Sequence, residues 1–109
     1  MILDFSSLPE MKEENFKGGE GELCASYYLD DMHRIMKAAL KPGASIGYHC
    51  HDNGSEIIEI LSGEGKVLYD DGEEPLKAGD VHYCPKGHSH SLINDSNKDL
   101  EFLAVVTML

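Results

Sequence analysis

Two stretches of the chain decide its fold: GASIGYHCHDNGSEIIEILSG at residues 43–63 and GDVHYCPKGHSHSLIN at residues 79–94. Both combine histidines, turn-forming residues and short apolar runs of the kind that form β-strands. A glutamate opens one of the apolar runs. We expect four side chains from these stretches to converge on one metal ion: His49, His51, Glu56 and His90.

The pair His49 and His51 forms one half of this predicted group. Side chains alternate along a strand, so both imidazoles should project from one face and Cys50 from the other. Glu56 follows the turn sequence Asp-Asn-Gly-Ser and opens a β-branched run. We expect it on a neighbouring antiparallel strand, beside the two histidines. His90 comes from the distant second stretch, after the turn sequence Pro-Lys-Gly.

Each of these residues also has an ordinary structural explanation. A lone histidine is usually solvated, and a His-x-His pair by itself is weak evidence for a metal. A charged glutamate at the head of an isoleucine-rich strand is nevertheless costly to bury unless it is paired or coordinated. Imidazole suits zinc, copper, iron and nickel, and a carboxylate extends the range to manganese. We therefore expect one divalent ion per chain, drawn from these five metals.

The spacing of the fixed positions resembles that of the two motifs of the cupin superfamily. The first motif has the intervals Gly43, five residues, His49-x-His51, four residues, Glu56, six residues, Gly63. The second has the intervals Gly79, five residues, Pro85-x-Gly87, two residues, His90, three residues, Asn94. Every position of both patterns is filled, and the chain resembles a small, single-domain type-2 cupin.

This resemblance implies an all-β fold, a jelly roll or double-stranded β-helix, formed by one domain. It also implies that His49, His51, Glu56 and His90 hold the metal inside the barrel. The barrel would span residues 29–109. Residues 1–28 would be an N-terminal arm that adds a strand at a dimer interface, and the alternative is a disordered tail. We therefore expect a homodimer.

Composition and charge indicate which partners and which compartment suit the chain. The chain has 109 residues and a formal charge of −11, and its basic residues are scattered, which disfavours binding to nucleic acid. No segment approaches the roughly 18 apolar residues needed to cross a membrane, and the N-terminus lacks the pattern of a signal peptide. The cysteine count is odd, with no Cys-x-x-Cys motif, which favours reduced thiols. We expect a cytoplasmic protein.

Most strands are marked by turn residues on both sides, and one segment is ambiguous. Residues 29–40, LDDMHRIMKAAL, have apolar positions at helical spacing and residues that favour a helix. Pro42 and Gly43 end the segment abruptly, and in cupins a strand precedes this turn. We therefore predict a strand at about 33–40. The other predicted strands are 45–51, 55–62, 65–69, 74–77, 81–84, 89–93 and 101–108.

Four protein ligands on a six-coordinate metal would leave two adjacent positions for a chelating ligand. Three neutral histidines, a glutamate and a divalent ion carry a net charge of about +1, which favours a small anion or a sugar-like ligand. The resemblance allows oxygenase, decarboxylase and isomerase or lyase chemistry. The alternative function is a non-catalytic metal-dependent domain that binds or senses a small ligand.

Catalysis by proton transfer would need a further group near the metal. His88, two residues before His90, is one candidate, and its ordinary explanation is a solvated residue or a hydrogen-bond partner of a ligand. We expect His33 and His82 to be structural or surface residues. Tyrosine hydroxyls are the other candidates: Tyr48, Tyr69 and Tyr83.

Overall fold

Ten β-strands and one 3-10 turn, at Phe16–Gly18, make up the secondary structure of residues 1–108, which the computed structural model describes. The strands are β1 (Glu10–Glu14), β2 (Glu22–Leu29), β3 (His33–Leu40), β4 (His49–Cys50), β5 (Ser55–Ser62), β6 (Glu64–Tyr69), β7 (Gly72–Lys77), β8 (Val81–Cys84), β9 (Ser89–Ile93) and β10 (Leu100–Thr107). The last residue of the predicted barrel, Leu109, lies outside the described residues. The predicted all-β fold is confirmed.

The strands form two antiparallel sheets. A six-stranded sheet has the order β1-β2-β3-β10-β5-β8, and a four-stranded sheet has the order β4-β9-β6-β7. Both sheets contribute side chains to one hydrophobic core, with Phe102 and Ile58 from the larger sheet and Leu92 and Val67 from the smaller one. Burial of this apolar surface is the main force that holds the two sheets together.

Strand β3 resolves the conflict between helix propensity and the cupin pattern. It runs from His33 to Leu40, as predicted, and pairs along its whole length with β10 and from Arg34 to Leu40 with β2. The Asp30 carboxylate accepts hydrogen bonds from the backbone N–H groups of Met32 and His33 and so stabilises the turn before the strand. Two hydrogen-bonded neighbours outweigh a modest local preference for helix.

The predicted strand at 45–51 is regular only at His49–Cys50. The residues before it remain extended but bond in two directions. The N–H of Ile46 donates to the carbonyl of Leu92, whereas the N–H of Gly47 donates to the carbonyl of Phe16 in the N-terminal arm. A Cβ atom at Gly47 would overlap the carbonyl of Lys17. The arm therefore fills the space beside Gly47.

The motif glycines act as turn residues, as expected. All four have positive φ angles, between 80° and 93°, which other residues rarely adopt: Gly43, Gly63, Gly79 and Gly87. Asn94, the last motif position, is fully buried, and its Nδ2 donates to the carbonyls of Leu40 and Lys98. These motif residues hold the loops around the sheets.

The N-terminal residues are part of the fold of their own chain. Strand β1 pairs with β2, and β2 pairs with β3, so both strands belong to the six-stranded sheet. The expected role of this arm in a dimer stays a prediction. Among the residues described, no helix is both long and apolar enough to span a lipid bilayer.

Candidate metal centre

Four side-chain donor atoms from three segments meet between the two sheets. His51 Nε2 lies 3.0 Å from Glu56 Oε1 and 2.9 Å from His90 Nε2. His90 Nε2 lies 2.9 Å from Glu56 Oε1. His49 Nε2 lies 3.2 Å from both His51 Nε2 and His90 Nε2, and 4.0 Å from Glu56 Oε1. The structure thus brings together all four residues that the sequence singled out.

The strands that carry these donors are arranged differently from the prediction. His49 on β4 is paired directly with His90 on β9, within the four-stranded sheet. Glu56 lies on β5 in the six-stranded sheet, where its neighbours are Val106 and Cys84. The expectation that Glu56 lies on a strand next to the histidines is therefore wrong. The turn at 52–54 carries the chain from one sheet to the other, and the donors face each other across the barrel.

The separations of the donor atoms fit a single metal ion. An ion with ligands at about 2.1 Å and right angles between them separates adjacent donors by about 3.0 Å and opposite donors by about 4.2 Å. Five of the six distances between the donors are 2.9–3.2 Å, and the distance from His49 to Glu56 is 4.0 Å. His49 and Glu56 therefore occupy opposite positions, and His51 and His90 are adjacent to both.

Hydrogen bonds on the far side of two imidazoles orient their lone pairs toward this centre. The Nδ1–H of His49 donates to the carbonyl of Gly47 at 2.7 Å. His90 Nδ1 lies 2.9 Å from Nε2 of His82, which can accept a hydrogen bond from Nδ1–H when His90 Nε2 binds a metal. Burial lowers the pKa of His49, and burial also lowers the pKa of His82 to about 4. The rings of His49 and His82 are therefore neutral near pH 7. For His49 this is the state that metal binding requires.

Glu56 carries the negative charge of the group. Its side chain is almost completely buried, with 4% of the residue exposed. Burial alone raises the pKa of Glu56, but hydrogen bonds with His51 and His90 outweigh it and lower the pKa to about 2. A buried carboxylate stays ionised only when such partners surround it. The site therefore offers one anionic oxygen and three imidazole nitrogens.

His88, the candidate for proton transfer, lies outside the group of four donors. Its Nδ1–H donates to the Asp70 carboxylate at 2.7 Å, and its ring stacks on Tyr69 with 5.5 Å between centroids. The backbone of His88 contacts the group of four donors: its carbonyl accepts a hydrogen bond from the N–H of His51. The arrangement is that of a half-exposed residue that supports the site from outside.

The three candidate tyrosines occupy different places. Tyr48 is exposed, and its hydroxyl donates to the carbonyl of Asp70. Tyr83 is also exposed, on the outer face of β8. Tyr69 makes an edge contact with the ring of His82, 5.6 Å between centroids. Tyr69 is therefore the tyrosine of the three that packs near a residue of the centre.

Sequence reasoning missed two residues of the site. His82, which we expected to be structural or on the surface, is buried and bonds to His90, a contact that the sequence did not predict. Its position two residues before Cys84 is the signal that could have found it, because Cys84 pairs with Glu56 and shares its face. The second residue is Arg34, the single arginine of the chain. It lines both cavities that adjoin His49.

Cys84 lies close enough to His82 and His90 to suggest a second metal-binding group. The thiol is completely buried, and burial raises its pKa to about 11. Metals bind the thiolate, so a thiol that resists deprotonation is a poor ligand. His90 belongs to both groups, and its Nε2 faces Glu56 and His51. The group of four donors is therefore the stronger candidate for a metal site.

Two cavities adjoin the centre. The outer one has a volume of about 280 Å³ and is lined by His49, His51, Arg34, Lys17 and Val106, among others. The inner one, lined by Glu56 and His90 as well as Arg34, has a volume of about 10 Å³, roughly the space of one water molecule. A ligand at this centre would be small and would enter from the outer cavity.

Comparison with known proteins identifies the family. A family model described as "Cupin domain" matches residues 36–106, more than half of the chain. The chain belongs to the cupin family, and the predicted cupin fold is confirmed.

The chain is also similar to individual proteins over most of its length. The chain is 40% identical over 116 residues to an oxalate-binding protein of Thermotoga maritima, and the match covers 100% of this chain and 95% of the relative. A crystal structure of a predicted oxalate decarboxylase from Thermotoga maritima superposes with a TM-score of 0.92 at 36% identity, covering 100% of both chains. The cupin domain of Cnp3 from Schizosaccharomyces pombe has a TM-score of 0.78 at 13% identity, covering 97% of this chain and 72% of that one.

Proposed function

We propose that the protein binds one divalent metal ion through His49, His51, Glu56 and His90 and uses it to hold a small dicarboxylate such as oxalate. The observation that carries this proposal is the set of donor distances, five short and one long. It is supported by the relative named as an oxalate-binding protein. The metal would supply Lewis acidity and a positive charge for the ligand.

The donor arrangement explains why a chelating ligand is favoured. With His49 and Glu56 opposite each other, the two remaining positions of a six-coordinate ion lie opposite His51 and His90. Those positions are adjacent to each other. A dicarboxylate can place one oxygen of each carboxylate there, whereas a single carboxylate forms a more strained chelate. The small outer cavity, about 280 Å³, also favours a compact ligand.

Charge supports an anionic ligand in a protein that is acidic overall. The chain carries a formal charge of −11. At the centre, three neutral imidazoles, one carboxylate and a divalent ion sum to about +1, and Arg34 and Lys17 line the outer cavity. The cavity is thus a local positive region on a negative protein. An acidic surface elsewhere reduces the non-specific binding of anions.

Binding without turnover is the function that the geometry supports best. Decarboxylation of oxalate to carbon dioxide and formate requires a proton to be delivered to the carbon that becomes formate. In the part of the chain that the structure describes, the carboxylate at the centre is Glu56, which is itself a ligand, and His88 is paired with Asp70. Oxygenase, decarboxylase and isomerase or lyase activities remain predictions.

The test combines metal analysis with a calorimetric titration. Protein purified without a metal-chelating tag is assayed for manganese, iron, nickel, copper and zinc, reloaded with Mn²⁺, and titrated with oxalate and with acetate. We expect one metal per chain and tighter binding of oxalate than of acetate. His51→Ala should lose the metal and the binding of oxalate. His33 lies at the start of β3, outside the centre, so His33→Ala should keep both the metal and the binding of oxalate.

The same samples show whether the proposal fails and whether the protein is an enzyme or a binding domain. Wild-type protein that holds no metal, or that binds oxalate equally well after the metal is removed, would refute the proposal. Formate release from oxalate in the same samples would identify an enzyme, and stable binding without product would identify a binding or sensing domain.

We further propose a homodimer that covers the outer face of the six-stranded sheet. Apolar side chains there are exposed side by side on β5 and β8, including Ile57 at 44%, Val81 at 60% and Tyr83 at 56%. A contiguous exposed apolar surface of this kind marks an interaction site. Light scattering should give twice the chain mass for wild type and the chain mass for Tyr83→Glu. Equal masses would refute this interface.

A cytoplasmic location remains our proposal. The structure leaves Cys24, Cys50 and Cys84 as free thiols, which suits a reducing compartment.

A further inference from the structure

We propose that Arg34 binds the carboxylate oxygens that the metal leaves free, and that it thereby selects dicarboxylates over sugar-like ligands and monocarboxylates. This inference rests on the proposed function. It starts from the position of Arg34 on β3. The alternate residues of that strand, Met36, Ala38 and Leu40, are buried in the core. Arg34 has the same parity, so its side chain is directed inward, an unusual place for a charge.

The register of the sheet places Arg34 in one row with a metal ligand. Arg34 pairs with Val106 on β10, and Val106 pairs with Glu56 on β5. Residues directly opposite on antiparallel strands share a face, and neighbouring strands lie about 4.8 Å apart. The backbones of Arg34 and Glu56 are therefore about 10 Å apart, with Val106 between them. Val106 also lines the outer cavity, so a small ligand can lie over it.

Arg34 has an unused hydrogen-bonding capacity at this position. Its Nε is buried and has no hydrogen-bond partner. None of the ion pairs formed by residues 1–108 includes it, whereas Lys41, Lys66 and Lys77 each pair with a carboxylate. A buried N–H group without an acceptor, such as this Nε–H, is costly, so such groups are normally satisfied by a protein atom or by a ligand. An anionic ligand in the cavity would satisfy this one.

The shape of the guanidinium indicates the kind of anion. Its planar fork of N–H groups matches the two oxygens of a carboxylate or one oxygen from each of two carboxylates. When oxalate chelates a metal through one oxygen of each carboxylate, two oxygens remain on the far side of the molecule. Acetate has no such pair, and a sugar offers no charge. Arg34 would therefore discriminate by the part of the ligand that does not touch the metal.

Lys17 is the natural comparison because it lines the same two cavities. Its ammonium group lies over the ring of Phe16, 5.8 Å from the centroid, and a lysine acts as a point charge without the planar fork. Lys17 should therefore attract anions to the cavity, and it should contribute less than Arg34 to the choice between them.

The experiment measures metal content and ligand affinity in Arg34→Gln, Arg34→Lys and wild-type protein loaded with Mn²⁺. Arg34→Gln should keep one metal per chain, bind oxalate about 10- to 100-fold more weakly, and bind acetate within about threefold of wild type. Arg34→Lys should fall between the two. Lys37→Gln, an exposed residue on the same strand, is the matched control and should bind oxalate as wild type does.

A second variant separates recognition from folding. Arg34→Met fills similar space without a charge, and because Nε has no partner in the folded protein, the melting temperature without ligand should stay level or rise. Its melting temperature should increase less than that of the wild type when the same concentration of oxalate is added to the Mn²⁺-loaded protein. A large fall in melting temperature without ligand, together with unchanged oxalate affinity in Arg34→Lys, would overturn the inference and make Arg34 structural.

The two proposals fail in different ways. Wild-type protein that binds oxalate through its metal, with an unchanged dissociation constant in Arg34→Gln, would refute the role of Arg34 alone. Wild-type protein that binds no oxalate would refute the proposed function.

Discussion

The chain contains two His-x-His sequences, and they behave differently. His49 and His51 both direct Nε2 into the group of four donors. In the other pair, His90 does so but His88 turns away, stacks on Tyr69 and bonds to Asp70. Period-two alternation predicts a shared face only while the chain is a regular strand. His51 directly follows β4 and His88 directly precedes β9, so each pair has one member just outside a strand and the spacing alone does not decide which histidine joins the group.

We infer that hydrogen-bond partners outside the motif decide which histidine directs its Nε2 into the group of four donors. His49 and His90 each have a hydrogen-bond acceptor behind the ring, the carbonyl of Gly47 and Nε2 of His82. His88 has an acidic partner on the other side, Asp70, which stabilises a donor role for its Nδ1. Four measurements test these different roles of the histidines.

Replacing His51 should have the largest effect. Its Nε2 lies within 3.2 Å of the donor atoms of His49, Glu56 and His90, so His51→Ala removes a donor at the middle of the proposed site. We expect metal affinity to fall by at least about 100-fold while the far-ultraviolet circular dichroism stays β-like. Elemental analysis after dialysis against a competing chelator measures this. Wild-type stoichiometry in the variant would contradict the site.

Replacing the partner behind a ligand should have the next largest effect. His82→Phe keeps a ring in the same space but removes the acceptor that orients His90. Loss of such a partner typically lowers metal affinity by about 10- to 100-fold. A competition titration with a chelating dye measures the dissociation constant. His33→Ala serves as the control, and an unchanged constant in His82→Phe would show that His90 is oriented by other contacts.

The stability of the metal-free protein should depend on pH through His82 and His49. Burial lowers the pKa of both, and that of His82 falls to about 4 from 6.5, so the unfolded state binds more protons as the pH drops below 6.5. Stability from these groups is therefore present above pH 6.5 and is lost as the pH falls toward 4. Allowing for solvent screening, we expect a loss of about 1 kcal/mol between pH 7 and pH 5.

Urea denaturation at the two pH values measures this loss, and His82→Phe should show a smaller one. An identical pH dependence in wild type and variant would mean that His82 is not the group that titrates. The range stops at pH 5 because Glu56, whose pKa is lowered to about 2, contributes in the same direction only at lower pH.

Replacing His88 should have the smallest effect on the metal. His88→Gln removes the bond to the Asp70 carboxylate and the stacking on Tyr69 but leaves the backbone carbonyl that accepts from His51. We expect metal affinity to change by less than about threefold, since no donor atom is lost. A larger loss would show that the side chain positions His51. If oxalate turnover is found, an unchanged rate in this variant would exclude an acid-base role for His88.

Much of the fold could be predicted from local patterns. Turn residues delimited β5, β8 and β9 correctly, and Pro42 with Gly43 marked the end of β3 against its helical propensity. The segment before His49 was predicted less well, because its hydrogen bonds go to the N-terminal arm as well as to β9. No local pattern reports a contact with residues about thirty positions away.

The residues that could bind a metal were identifiable from the sequence. His49, His51, Glu56 and His90 lie in two short stretches bounded by turn residues, and their spacing matches the two cupin motifs. Tertiary structure alone decided that Glu56 faces the histidines from the opposite sheet, that His82 supports His90, and that Arg34 lies unpaired beside the cavity. These relations depend on how distant strands pair and pack. Pairing register is a property of the whole barrel, set by burial of its shared core, and no single segment contains it.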